Sequence, residues 1–181
     1  EDIALDSKGR IYAPTHEGII VRLKADGTDP QKWADTGGRP LGIDFDNEGN
    51  LIVADAMKGL LSISPETEIT LLADIADGIP ILYADDVDVA KDGRIYFSDA
   101  STKFGAKAYG DTMKASLSDI MEHGGHGRLL CYDPLTQKAV TLLDGINFAN
   151  GVAVSHDQTY VLINETGSYR VLRYWISGPK Q

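Results

Sequence analysis

The chain has a single cysteine, Cys131, in 181 residues, so no disulfide can close within it and the redox compartment stays open. No run approaches the eighteen apolar residues of a membrane-spanning helix, and no signal-peptide pattern is visible. Because the first residue is Glu1 rather than Met, a leader or anchor upstream is left open, with a leaning towards an extracytoplasmic or membrane-anchored protein. Basic residues are scarce, 17 Lys and Arg against 27 Asp and Glu, which gives a net charge of −10. That balance disfavours nucleic acid and anionic membrane surfaces as partners and favours cations or cationic substrates. Equally absent are a Ser–His–Asp order, a nucleophile elbow and a phosphate loop; "GRPLG" lacks the strand-to-helix context of a nucleotide site.

The composition is otherwise that of a globular domain able to bury a core, with 43% apolar and 24% charged residues. Nineteen glycines at turn-like positions point to an all-β architecture. Four segments align with one another: "DIALDSKGRIYAP", "GIDFDNEGNLIVA", "DVDVAKDGRIYFS" and "GVAVSHDQTYVLI". Each reads as a short apolar strand, a polar turn and a second, β-branched strand. Gly9, Gly49 and Gly93 mark the turn, and Gln158 takes their place in the fourth copy, at separations of 40, 44 and 65 residues. Such a period, with an outer strand headed by "TLLAD" or "TLLDG", is that of a β-propeller blade. The expected blades are residues 1–40, 41–84, 85–149 and an incomplete 150–181, which stops inside the fourth unit at "YWISGPKQ". The unfinished blade implies a piece of a larger propeller, whose open edge needs the remaining blades or another chain to cover it.

The long third spacing holds an insertion over residues 102–126. Met113, Leu117, Ile120 and Met121 fall there at helical spacing, with Thr112 as the expected N-cap and Gly124 as the stop. The stretch "DFDNEGNLIVAD" imitates an EF-hand loop. Its flanks do not form helices, and its alignment with the sister copies makes it a hairpin.

The repeat also supplies a register for ligands. Eight residues before each turn position stand Glu1, Leu41, Asp85 and Asn150, at the entry to each innermost strand, where a propeller has its channel. Three of these four are oxygen donors suited to a hard cation such as Ca²⁺. One residue later stand Asp2, Gly42, Asp86 and Gly151, which makes Asp86 a further metal-ligand candidate. The competing reading is that these side chains hydrogen-bond strand entries. In "EHGGHG", His123 and His126 lack further ligands for zinc and remain weak candidates for a catalytic base. His16 and His156 lie at strand turns and read as surface residues.

The stretches "GRPLGIDFDNEGNLIVADAMKGLLSI", "DVDVAKDGRIYFSDAS", "HGRLLCYDP" and "FANGVAVSHDQTYVLINETGSYRVLRYWISG" resemble the strictosidine synthase-like proteins. Those belong to the wider superfamily of gluconolactonases, arylesterases and paraoxonases. The resemblance runs over nearly the whole chain and is greatest to bacterial and animal membrane-anchored members. It implies a six-bladed β-propeller, of which this chain would hold about four blades with a helical insertion in the third. It also implies a channel Ca²⁺, with Glu1 and Asn150 matching family ligands and Asp85 standing where the family has asparagine. The family's fifth-blade aspartate and the plant synthase's sixth-blade glutamate have no counterpart here. The histidine dyad of paraoxonases aligns with Leu41 and Asp55, so that mechanism does not carry over. The resulting expectation is a calcium-dependent hydrolase of lactones or aryl esters acting on a small-molecule substrate. The alternatives are a bond-forming lyase and a non-catalytic binding scaffold.

Overall fold

The computed structural model describes residues 2–179. Four sheets follow one another along the chain, each built from consecutive antiparallel strands. The first contains β1 (Ala4–Leu5), β2 (Ile11–Pro14), β3 (Ile19–Leu23) and β4 (Gln31–Asp35). The second contains β5 (Pro40–Phe45), β6 (Leu51–Asp55), β7 (Gly59–Ile63) and β8 (Ile69–Ala73). A short hairpin, β9 (Ile75–Ala76) and β10 (Ile79–Pro80), precedes the strands of the third sheet, β11 (Ala84–Val89), β12 (Ile95–Asp99), β13 (Gly127–Asp133) and β14 (Lys138–Ile146). β9 joins that sheet by pairing parallel to β14, at Ala139 and Ala76, which makes it six-stranded. The fourth sheet has three strands, β15 (Ala149–Val154), β16 (Tyr160–Glu165) and β17 (Arg170–Trp175).

Each sheet begins with the aligned hairpin, and its turn follows from local chemistry. In the "DFDNEGNLIVAD" stretch, Asp44 pairs with Ile52 and Phe45 with Leu51 across β5 and β6. Asp46 closes the turn by accepting from the amides of Glu48 and Asn50, at 2.9 and 2.8 Å. Gly49 supplies the positive φ of +86° that the turn requires, and Gln158 adopts the same region at +61°.

The core lies between sheets. Tyr12 from β2 sits edge-on to Trp33 and to Phe45, with centroids 5.0 and 5.1 Å away, and joins the first sheet to the second. Ile52 and Leu60 meet Phe97 and Leu130 between the second sheet and the third. Leu129 and Ile146 meet Val161 and Ile163 between the third and the fourth. Each fully buried side chain among them, such as Ile52, Leu60, Phe97 and Leu129, contributes about 1.5–3 kcal/mol by leaving water. No single sheet can supply such a core alone, because each buries its faces only against its neighbours.

Two helices interrupt the third sheet between β12 and β13, α1 (Ala106–Tyr109) and α2 (Thr112–Glu122). The expected caps of α2 are each displaced by one residue. Asp111 is the N-cap, its carboxylate accepting from the amides of Met113 and Lys114, and Thr112 is the first helical residue. At the other end His123, not Gly124, takes the left-handed conformation, at φ 55°. The expected apolar face is corrected as well: Met113, Leu117 and Met121 are exposed, while Ala115 and Asp119 are buried with Ile120 packed beside them. Small Ala106 and Ala115 let the helices settle on Leu41, Tyr83 and Phe148, at the entries to β5, β11 and β15. The Tyr83 hydroxyl donates to the Thr112 carbonyl at 3.1 Å and fastens the start of α2 there. Among the described residues no helix is long and apolar enough to cross a membrane.

Candidate functional site

The first strands of the four sheets adjoin one another, and three of them carry the same irregularity. In β5 the pairing runs from Pro40–Asp55 to Ile43–Val53, so two residues oppose one. In β11 it runs from Ala84–Asp99 to Val87–Phe97, and in β15 from Ala149–Glu165 to Val152–Ile163. The extra pairs are Leu41–Gly42, Asp85–Asp86 and Asn150–Gly151. A regular strand sends successive side chains to opposite faces, whereas a bulge re-aims one of them. The result is a cavity of about 230 Å³ lined by Asp2, Gly42, Asp85, Asp86, Asn150 and Gly151.

Of the residues picked from the sequence register, the structure brings Asp85, Asp86 and Asn150 to this one cavity. Asp85 is buried, and Asp86 and Asn150 are half-buried. Glu1 lies outside the described residues. His123 and His126 stand apart from the cavity lining. His123 caps α2, while the His126 ring meets Glu122 Oε1 at 2.9 Å and packs edge-on against Phe104. Among the described residues, no group of three or more His, Cys, Asp or Glu side chains is arranged to hold a metal ion.

Carboxylates around the cavity also hold neighbouring sheets together. Asp2 Oδ2 accepts from the Ile43 amide at 3.0 Å, and Asp44 Oδ2 accepts from the Val89 amide at 2.9 Å. Asp86 and Asp88 accept from the amides of Val152 and Val154, both at 2.6 Å. In every case an acid on, or just before, one first strand satisfies an amide on the first strand of the next sheet. Asp2 and Asp86 stand seven residues before their turn positions, and Asp44 and Asp88 five before. Gly42 replaces an acid in the second copy because a Cβ there would run into Asp86, within 2.6 Å of its Cα. Burial, and then the charge of Asp44 beside it, push the Asp88 carboxyl up to about 6.

A second set of acids lies at the far ends of the second strands. Asp55 Oδ1 accepts from the amides of Arg39 and Met57, at 2.9 and 3.0 Å. Asp99 accepts from the Tyr83 amide at 2.9 Å and from Arg128 Nη2 at 2.7 Å. Glu165 accepts from the Asn147 amide at 3.0 Å and pairs with Arg170. Burial alone would raise Glu165, but Arg170, Asn147 and Ser168 outweigh it and hold the carboxyl at about 2. These three side chains order the chain entering each bulged strand. The register reading missed them as a set, although an acid closing the second strand in three copies was a visible signal.

Asp119 is a third kind of acid, fully buried under α2 with no hydrogen-bond partner on either oxygen. Ser101 and the Phe148 backbone lie near it and partly offset the effect of burial. Burial raises its carboxyl above the ordinary range, Glu122 adding to the effect and His126 opposing it. Burial likewise pushes the Cys131 thiol up to about 11, which removes it as a nucleophile at neutral pH.

The strictosidine synthase family profile matches residues 85–179, and the N-terminal profile of strictosidine synthase-like proteins matches residues 1–23. Protein STRICTOSIDINE SYNTHASE-LIKE 7 of Arabidopsis thaliana is 42% identical over 98% of this chain and 47% of its own length. The adipocyte plasma membrane-associated protein of Rattus norvegicus is 34% identical over 93% of the chain and 47% of its own length. The chain therefore spans about half the length of these curated relatives. They are plant and animal proteins, and the leaning towards bacterial members is corrected accordingly. Among solved structures, a gluconolactonase from Xanthomonas campestris superposes with a TM-score of 0.78 at 18% identity, covering 98% of this chain and 58% of that one. Regucalcin from Agrobacterium tumefaciens, described as a calcium-binding protein, gives 0.72 at 17% identity, covering 98% and 54%. At these identities the likeness is one of fold: a mostly-β chain of four sheets arranged like part of a gluconolactonase-type propeller.

Proposed function

The chain belongs to the strictosidine synthase-like family, and from that premise we propose that it is about four blades of a six-bladed propeller that hydrolyses lactones or aryl esters with calcium. The blades correspond to residues 1–40, 41–84, 85–149 and 150–181, and further blades or another chain complete the ring. The observation that carries the proposal is the thrice-repeated bulge, which gathers Asp85, Asp86 and Asn150 around one small cavity. All its polar lining side chains are carboxylates or an amide, the donor set of a hard cation. Gly42 and Gly151 add no side chain to the space.

Asp85 and Asn150 are assigned to the metal, with Glu1 from the first blade. Asp86 is second-line, and its Oδ2 also holds the Val152 amide. When bound, the cation supplies a Lewis acid for the substrate carbonyl oxygen. The chain's own residues hold and orient: the acids on the first strands fix the spacing of the ring, and the insertion over residues 102–126 limits access from the strand-entry side. The regucalcin likeness supports calcium, and the gluconolactonase likeness supports a small lactone or ester substrate.

The test uses the full-length protein with a lactone and aryl-ester panel, with and without chelator. Calcium should raise the melting temperature, and Asp85→Ala should abolish that rise. Asp86→Asn should lower stability while leaving most of the rise in place. Undiminished turnover after calcium removal would end the proposal. The isolated 181-residue chain is expected to be inactive. The family name favours one rival, a carbon–carbon or carbon–nitrogen bond-forming lyase with no calcium requirement, which bond formation undiminished by a chelator would reveal. A null result on all substrates, together with tight capture of a protein, would favour a non-catalytic scaffold.

A further inference from the structure

A larger cavity, of about 790 Å³, lies away from the bulged strands, between the outer part of the second sheet and the loop that leads into α1. That volume falls in the range of about 300–1,000 Å³ typical of small-molecule sites. Its apolar lining comes from Leu61, Ile69 and Leu71 on one side and Ile81 and Leu82 on the other. Ile69 and Leu71 lie on β8, the outer edge strand, and are 41% and 51% exposed, so the groove leaves large apolar surface in water.

The charge around this groove runs against the rest of the chain. Three lysines, Lys58, Lys103 and Lys107, line it with a single acid, Asp74, in a protein where acids outnumber bases 27 to 17. All three lysines are exposed. Lys58 donates to the Thr36 carbonyl, and Lys103 pairs with Glu122 at 2.7 Å. Lys107 has no side-chain partner among the described residues. A strongly acidic protein repels anions at long range, so a local excess of ammonium groups beside apolar surface selects for a ligand that is both anionic and apolar. A neutral apolar ligand would make no use of the lysines. A cation would meet a local excess of positive charge.

We propose that this groove binds a long-chain monoanion of the fatty-acid type, its chain over Ile69, Leu71 and Leu82 and its carboxylate towards Lys107. One wall of the groove is the outer part of the second sheet, and the other is the segment after β10 together with the loop into α1 and α1 itself. The site is separate from the proposed metal cavity and does not depend on it.

The probe is dodecanoate below its micelle concentration, titrated calorimetrically into the full-length protein. Saturable 1:1 binding is expected, weakened at least tenfold by Lys107→Glu and by Leu71→Asp, and weakened further by added salt. Both substitutions fall on exposed positions, and circular dichroism with an unchanged melting temperature verifies the fold. Butanoate and dodecyltrimethylammonium should each bind at least tenfold more weakly, the first for lack of a chain and the second for its charge. The proposal is overturned by absence of saturable binding, by affinity unchanged in both variants, or by equal affinity for the cationic analogue. Binding to phosphatidylserine vesicles with none to monomeric dodecanoate would also overturn it and make the surface a membrane contact.

Discussion

Replacing Asp88 with asparagine isolates a pH dependence that the structure places in the ring of first strands. Asp88 accepts from the Val154 amide while its carboxyl lies beside that of Asp44, which itself accepts from Val89. A proton on Asp88 lets it donate to Asp44; its loss sets two partly buried carboxylates against each other. Burial first, and then Asp44, raise Asp88 from 3.8 to about 6. A folded value above the unfolded one means that the contribution is fully present below about pH 4 and is lost as pH rises through about 6. The difference between 3.8 and about 6 converts to roughly 3 kcal/mol, which partial solvent screening reduces to about 1–2 kcal/mol.

Asparagine keeps an acceptor for Val154 and a neutral donor for Asp44 at all these pH values. In urea unfolding of the full-length protein, the advantage of Asp88→Asn over the wild type should be smallest near or below pH 4 and grow by about 1–2 kcal/mol towards pH 7.5. The comparison between variant and wild type is essential because Glu165 acts with the opposite sign. Its carboxyl is held at about 2, so its contribution is present above pH 4.5 and is lost as pH falls towards 2. A stability difference that is flat with pH, or one that turns against the variant at pH 7.5, would refute the reasoning.

Gly42→Ala should cost about 2–3 kcal/mol, read from the melting temperature, because the new Cβ meets the Asp86 backbone, which cannot swing away as a side chain would. The same variant should lose the calcium-dependent rise, since Asp86 and its bulge partner Asp85 are displaced together. Arg128→Ala should cost about 3–5 kcal/mol in urea unfolding, because it strands the fully buried Asp99 carboxylate and releases the Pro80 carbonyl of the β9–β10 hairpin. Asp119→Asn should slow hydrogen exchange over residues 106–122, and slow it more at high pH than at low pH. Burial raises the Asp119 carboxyl, Glu122 and His126 are the charged groups facing it, and its ionisation on raising pH works against docking of the insertion.

The hairpin repeat was legible because its chemistry is local. An acid or serine at Asp6, Asp46 and Ser155 turns the chain, and a residue able to take positive φ follows three positions later. The same register reached Asp85, Asp86 and Asn150 through equivalence alone. The bulge itself was out of reach, because it is a mismatch in count between two paired strands and neither strand records it alone. The face of α2 was misjudged for a related reason. Met113, Leu117 and Met121 recur every four residues, as a buried stripe would, yet they are exposed. The face that packs carries Ala115 and Asp119, whose hydropathy gives no signal. Close approach to Leu41, Tyr83 and Phe148 needed a small side chain, and the helix turned accordingly.

The acids around the first strands divide by position. Five and seven residues before each turn, a side chain is an acid that holds the next sheet's amide, or it is glycine or alanine. Eight residues before, the side chain changes character from copy to copy, from Leu41 to Asp85 to Asn150. A set that joined sheets would need the same chemistry at each joint, as the first set has. Of the three residues eight before the turn, Asp85 and Asn150 line the cavity, while Leu41 packs under the helices. In a regular strand, adjacent positions could not both reach the cavity. The bulge removes that restriction, so one pair of residues can brace the ring and line its opening together. On that ground Asp85 and Asn150 are the residues proposed to meet the cation, with Asp86 also bracing the neighbouring sheet.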